Sequence, residues 1–248
     1  MKIAYVTTYN AADVHQWSGL GYAMAKSLTD ADCELEYIGN LNEEFSLLWE
    51  AKTRFYRQLC SKRYLRDREP CLLKSYAKQV STALRSSRAE IVFSPGSIPI
   101  AYLKTDKPIV FWTDATFAGI SGFYPEYSNL CKETIKNGNQ MEQEALSRCS
   151  YAIYGSEWAA KTAVDNYIVD ARKIKVVPFG ANISCSRTNS DIEEMVRNRD
   201  AQTIKLLFCG VDWHRKGGDV VLEVAKMLFA EGVDVRRDFL RQQAQHAE

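Results

Sequence analysis

Nothing in this 248-residue chain approaches the run of about twenty apolar residues that crosses a bilayer. Its first segment, MKIAYVTTYN, has too short an apolar stretch for a secretory leader and reads as a buried strand. An excess of one charge sign is also missing. Lys and Arg total 32 against 31 Asp and Glu, so no global field draws nucleic acid. None of the seven cysteines forms a C-x-x-C pair, and their number is odd. That argues against a zinc or disulfide framework and against any bound metal. Several cysteines lie in apolar runs, as Cys209 does in KLLFCG, and they read as reduced core thiols of a cytosolic protein. Repeats and low-complexity tracts are lacking as well.

What is present is ordinary for a soluble globular chain. The hydrophobic share is 46%, enough for a packed core. Short apolar runs alternate with longer amphipathic ones. Strands are expected at 3–8, 35–38, 91–94, 109–113, 151–154, 175–177 and 204–209. Most lack polar alternation, as strands covered on both faces do. Helices are expected at 20–29, 43–68, 72–86, 127–148, from Glu157 onward and at 191–199. This alternation predicts an α/β fold, a Rossmann-like parallel sheet with helices on both faces. The polar, turn-rich stretch PFGANISCSRTNSD marks a change of domain. We expect an N-terminal domain over 1–185, a linker over 186–202, and a partial second Rossmann-like domain over 203–248.

Four stretches carry chemistry. In FCGVDWHRKGGD, a strand end, Gly210, two cations (Arg215 and Lys216) and the pair Gly217-Gly218 precede a helix. Glycine permits close approach to a ligand, and a helix N-terminus favours an anion. Two cations at that end oppose the helix dipole, which suits a diphosphate better than a bare turn. A Walker loop is excluded, because G-x-x-x-x-G-K-[ST] does not occur. The first strand–helix turn holds Gly19 and Gly21, with His15 just before them. Met24 fills the third glycine position of a dinucleotide fingerprint, so a tight packing turn and a ligand loop both remain open. That also weakens a dehydrogenase reading. Asp114, in FWTDATF, falls at the carboxyl end of a strand. It could orient a sugar hydroxyl, accept a proton, or cap a helix. Ser156 reads as a helix cap. Finally, residues 52–68 interleave cations with Phe55, Tyr56 and Tyr64. A solvated helix, a peripheral contact with an anionic membrane face and an acidic-acceptor site are the three readings.

Together SGLGYAMAKSL, FWTDATF, YGSEWAA, KIKVVPFGANI and LLFCGVDWHRKGGDVVLEVAKML resemble the two-Rossmann (GT-B) glycosyltransferases of retaining family 4. The resemblance runs from Met1 to about Val235. It implies a nucleotide-sugar donor, a saccharide or lipid-linked acceptor held by the N-terminal domain, retention of configuration, and no cofactor or metal. By position it implies that Arg215 and Lys216 contact the donor phosphates. Gly210, Gly217 and Gly218 complete that loop. Gly19, Gly21 and His15 line the acceptor side, and Asp114 contacts a sugar. Two departures stand out. Val211 follows Gly210 where many relatives have arginine, and the family's second-domain E-x7-E motif is missing beyond the loop. The tail VRRDFLRQQAQHAE turns polar where a buried strand is due. The expectation is therefore a truncated donor domain with little turnover alone. A non-catalytic module that binds a glycan or a partner is the alternative.

Overall fold

Six of the apolar segments become parallel strands of one sheet. The computed structural model describes residues 1–183, 185–200, 203–210 and 212–240, and divides into two units, Met1–Asn182 and Ile183–Glu248. In chain order the first unit contains β1 (Lys2–Val6), α1 (Leu20–Asp30), β2 (Glu34–Ile38), α2 (Ser46–Leu59) and α3 (Pro70–Leu84). There follow β3 (Ile91–Ser94), β4 (Ile109–Thr113), α4 (Phe117–Ile120), α5 (Lys132–Arg148), β5 (Tyr151–Tyr154), α6 (Glu157–Asn166) and β6 (Ile174–Val176). The sheet order is β2-β1-β3-β4-β5-β6, parallel throughout.

Consecutive strand residues are buried on opposite faces, which explains the missing alternation. Ala4 and Val6 join Val92, Phe111, Ala152 and Tyr154 in a core closed by α3, α5 and α6. Ile3, Tyr5 and Phe93 face the other way, against Met24 and Ala25 of α1. A fully buried side chain such as Leu73 or Phe111 contributes roughly 1.5–3 kcal/mol over its exposed state.

Local chemistry sets the helix starts. Ser156 Oγ accepts the Ala159 amide at 3.2 Å and opens α6, as its sequence position predicts. Thr116 Oγ1 accepts the Gly119 amide at 3.0 Å and opens α4. Asp114 is therefore not the cap there. Gly138 in α5 is required by packing. A Cβ on it would sit 2.3 Å from the Phe117 ring, so only glycine lets α4 and α5 meet there.

The long helix expected over 43–68 is not formed. α2 stops at Leu59, because Ser61 takes a left-handed backbone (φ 50) and Arg63 is extended. Arg63 is pinned there by backbone bonds with Asn129 and Cys131, at 2.9 and 2.8 Å. Likewise α5 begins at Lys132 rather than near Tyr127. Residues 125–127 form a separate turn that opens on a proline.

The second unit contains α7 (Asn189–Arg197), β7 (Thr203–Cys209), α8 (Gly218–Ala230) and β8 (Asp234–Leu240). β7 and β8 pair in parallel from Thr203↔Asp234 to Cys209↔Leu240, with α8 as the crossover. The polar segment from Asp234 thus forms a strand despite its charges, because the backbone ladder needs no apolar side chain. The rest of the polar tail, 241–248, lies outside the described residues, as does Val211. The core-thiol reading needs correction. Cys131 and Cys149 are buried, but Cys60, Cys71, Cys185 and Cys209 are exposed. For Cys209 the reason is local, since a two-stranded sheet covers little of an apolar strand.

Candidate functional site

Strand order reverses between β1 and β3, and ligands of open α/β sheets bind outside the strand carboxyl ends at such a switch. A cavity of about 200 Å³ lies there. Its walls come from the ends of three strands: Thr7 to Tyr9 after β1, Ser94 to Ser97 after β3, and Thr113 to Phe117 after β4. Trp17, Tyr127, Arg68 and Glu142 also line it. A larger groove of about 590 Å³ runs along α2, but no strand end contributes to it.

The floor of the cavity is polar and buried. Ser94 is fully buried, Glu142 is 2% exposed and Arg68 is 7% exposed. Glu142 Oε2 accepts the Ser97 hydroxyl at 3.0 Å, while its Oε1 has no partner. Arg68 donates from Nη1 to Asp67 at 2.8 Å and lies over the Phe117 ring at 5.5 Å, and its Nε is unpartnered. Ser94 Oγ and Tyr9 Oη also lack partners. Buried polar atoms are normally paired. Here the four residues that carry such orphans border one small cavity, with the orphan atoms themselves buried.

Burial pushes the Glu142 carboxyl up to about 7, against the Ser97 hydroxyl, the Arg68 charge and the Phe117 amide, which favour the ionised form. Asp114 stands at the mouth. Desolvation raises its pKa, opposed by hydrogen bonds from its own amide, Thr113, the Ala115 amide and Trp17. Its side chain remains open to solvent. A concave mouth does both, since protein crowds the carboxyl without closing over it.

The glycine turn after β1 acts at one remove. Gly19, with φ 78, starts α1, but neither it nor Gly21 nor His15 lines the cavity. Gly21 makes room for its wall instead. A Cβ there would lie 2.3 Å from Tyr9 Oη, and Tyr5 Oη donates to the Gly21 carbonyl at 2.6 Å. His15 is exposed, with its amide bonded to Asp13.

In the second unit, β7 runs through Gly210 into a loop that opens α8. The loop is self-braced. Asp212 Oδ1 accepts the Arg215 amide at 2.8 Å, and the amides of Lys216, Gly217 and Gly218 close turns onto the Asp212, His214 and Trp213 carbonyls. The two glycine amides that the sequence offers to a phosphate are thus already engaged. Gly217 supplies a left-handed turn (φ 77), and Gly218 is bare because the Trp213 ring occupies its Cβ position, 2.4 Å away. Gly210 lets the Lys216 stem cross, since a Cβ would meet it at 2.9 Å. The Arg215 and Lys216 side chains are exposed at the positive end of α8. No cluster of three metal-ligating side chains occurs among the described residues, and no described helix is long and apolar enough to cross a membrane.

Sequence reasoning placed Asp114 at the strand edge but missed Arg68, Ser94, Ser97 and Glu142. For Glu142 a signal existed. It lies four residues from both Gly138 and Leu146, on the apolar stripe of α5, where a carboxylate is out of place.

Neither family models nor curated proteins match the sequence. Solved structures align with nearly the whole chain at low identity. The lipopolysaccharide outer core galactosyltransferase WaaB, in its apo form, aligns with 98% of this chain and 69% of its own at 12% identity, with a TM-score of 0.48. The Anabaena protein HepE, in complex with UDP and glucose, aligns with 98% and 70% at 14% identity, TM-score 0.43. The Methanocaldococcus jannaschii UDP-GlcNAc 2-epimerase, in complex with UDP-GlcNAc and UDP, aligns with 97% and 66% at 14% identity, TM-score 0.41.

Proposed function

We propose that this chain serves transfer of a sugar from a nucleotide-sugar donor to a saccharide or lipid-linked acceptor, in the manner of the retaining two-Rossmann enzymes its motifs resemble. The observation that carries the reading is the loop from Gly210 to Gly218. It leaves a parallel strand, opens a helix, and sets Arg215 and Lys216 at that helix's positive end. Two cations there disfavour the free helix and favour a bound diphosphate.

In this reaction the acceptor hydroxyl attacks the anomeric carbon, and the bond from that carbon to the diphosphate oxygen breaks. The acceptor proton passes to the departing diphosphate. Arg215, Lys216 and the α8 dipole stabilise the charge that develops on the leaving group. Asp114, at the carboxyl edge of β4, accepts a hydrogen bond from a sugar hydroxyl and orients it. Incubation of the purified chain with UDP-, GDP- and ADP-sugars and a glycan acceptor tests the reading. A glycosylated acceptor with the donor's anomeric configuration supports it. Inverted product, or no nucleoside diphosphate bound or released with any donor, would remove it.

A membrane-borne acceptor fits the outer face of α2. Leu47, Leu48, Phe55 and Leu59 are exposed there, with exposed Arg54 and Arg57 beside them and Lys62 and Arg63 just beyond. The basic run of 52–68 is only partly available. Lys52 pairs with Glu69 and Glu133 at 3.0 and 2.6 Å, Arg66 pairs with Glu43 at 3.3 Å, and Arg68 is buried. The surface that remains suits an anionic lipid interface. We expect co-sedimentation with vesicles containing phosphatidylglycerol, weakened severalfold by Leu47→Glu with Leu59→Glu and by added salt. Equal binding to neutral vesicles, or none to either, would contradict it.

A further inference from the structure

We propose that a second groove of the first unit, at the end of α2, binds a phosphate monoester through Arg57, Lys62 and Arg63. The site shares no lining residue with the strand-end cavity, and the Gly210 to Gly218 loop belongs to the other unit. It goes beyond the transferase reading and depends on neither feature.

The groove has a volume of about 510 Å³. Its described lining holds three cations and no carboxylate. Acids nearby are claimed by other cations. In the adjoining groove along α2, Glu50 pairs with Arg54 at 3.8 Å, Glu43 with Arg66 at 3.3 Å and Asp67 with Arg68 at 2.8 Å. Lys52 takes Glu69 and Glu133. Among the described residues no ion pair joins a carboxylate to Arg57, Lys62 or Arg63. Lys62 Nζ donates to a neutral amide, Asn129 Oδ1, at 2.6 Å, so its charge is not neutralised there.

A cation in the last turn of a helix offsets the negative helix end, which accounts for Arg57 alone. Lys62 and Arg63 lie beyond that turn. The helix end itself is closed: the Cys60 and Lys62 amides both reach the Tyr56 carbonyl, at 3.2 and 3.0 Å, around the left-handed Ser61. A helix end carries about half a negative charge, and three cations outweigh it. The backbone that presents them is fixed from the other side as well. Arg63 is paired with Asn129 and Cys131, and Asn129 Nδ2 donates to the Ser61 carbonyl at 2.7 Å. Little backbone ordering is therefore left for a ligand to impose.

The charge count selects the ligand. A phosphate monoester brings close to two negative charges at pH 7 and three acceptor oxygens, and guanidinium forks match its geometry. A carboxylate or a phosphodiester brings one charge and leaves two cations unmatched. The groove is larger than a phosphate, and Leu65 and Tyr64 on its wall leave room for the esterified group. A long polyanion gains little, because the acids along α2 balance the cations there.

The test is a phosphorus NMR and calorimetric titration of the full chain with sn-glycerol 3-phosphate, with dimethyl phosphate and acetate as singly charged controls. It is run in the Arg215→Ala, Lys216→Ala background, which removes the other cation pair read as a phosphate site. The monoester should bind, and both controls should bind severalfold more weakly. Arg57→Gln with Arg63→Gln should weaken it about tenfold, since charge-assisted contacts are lost, and leave the fold intact, since both side chains are exposed. Leu47→Glu, which weakens the apolar contact of α2, should leave it unchanged. Vesicles with phosphatidic acid, beside vesicles of equal surface charge with phosphatidylglycerol, name the source of the phosphate. Stronger co-sedimentation with phosphatidic acid, lost in the arginine variant, assigns a lipid headgroup. Equal co-sedimentation beside intact binding of glycerol 3-phosphate assigns a soluble ester. Both keep the site. Affinity unchanged in the arginine variant, acetate bound as tightly as the monoester, or no monoester bound to a folded chain would overturn the assignment.

Discussion

Glu142→Gln stabilises the protein at pH 8 and leaves its stability unchanged at pH 4. The sign follows from proton linkage. The folded carboxyl is raised from 4.5 to about 7 by burial, so the native state holds a proton that the unfolded chain releases. Between these values the native state binds more protons, and stability falls as pH rises. The loss is complete above the folded value and amounts to about 3 kcal/mol. Glutamine keeps the shape and the hydrogen bond to Ser97 without the titration. Urea unfolding of both proteins at pH 4, 6 and 8 measures the difference. A constant gap across this range would mean that the Glu142 carboxyl titrates in the fold as it does in the unfolded chain, against the burial account.

Asp114→Asn lowers transfer about ten- to hundredfold while leaving nucleotide affinity unchanged. Thr116 caps α4, so Asp114 is free of that structural duty. A hydrogen bond from a hydroxyl to a charged acceptor is worth about 1.5–3 kcal/mol. Asparagine keeps the size and one acceptor oxygen but loses the charge. Steady-state kinetics with varied acceptor, beside a nucleotide titration, separates the two effects. Transfer equal to wild type would remove Asp114 from the site. Equal losses of nucleotide affinity and rate would assign it to the fold instead.

The sheet was legible because burial on both faces leaves continuous apolar runs. IVFS and IVFWT become β3 and β4 with the expected bounds. The break after α2 was hidden, because it depends on Arg63 pairing with a segment near residue 130, which no local pattern records. β8 was hidden because DVRRDFL is polar, while its backbone pairs with β7 over seven residues. Asp114 could be placed because a strand end is a local feature. The cavity floor could not. Glu142 meets Ser97 across 45 residues of sequence, and Arg68 reaches Phe117 from a turn that the sequence had suggested was helix. Glycine spacing left packing and ligand binding open, and the structure shows the packing. Gly21 and Gly218 are bare for the sake of Tyr9 and Trp213, aromatic neighbours that a motif does not show.

The central claim is that Arg215 and Lys216 hold a nucleoside diphosphate. Calorimetric titration of the full chain and of its Arg215→Ala, Lys216→Ala double variant with UDP, GDP and ADP tests it most directly. The account predicts that one base is preferred and that the double variant binds it at least tenfold more weakly, since each charge-assisted contact contributes about 1.5–3 kcal/mol. Affinity unchanged in the variant, or no binding of any of the three to a folded chain, would contradict it and leave a glycan- or partner-binding module as the reading of this fold.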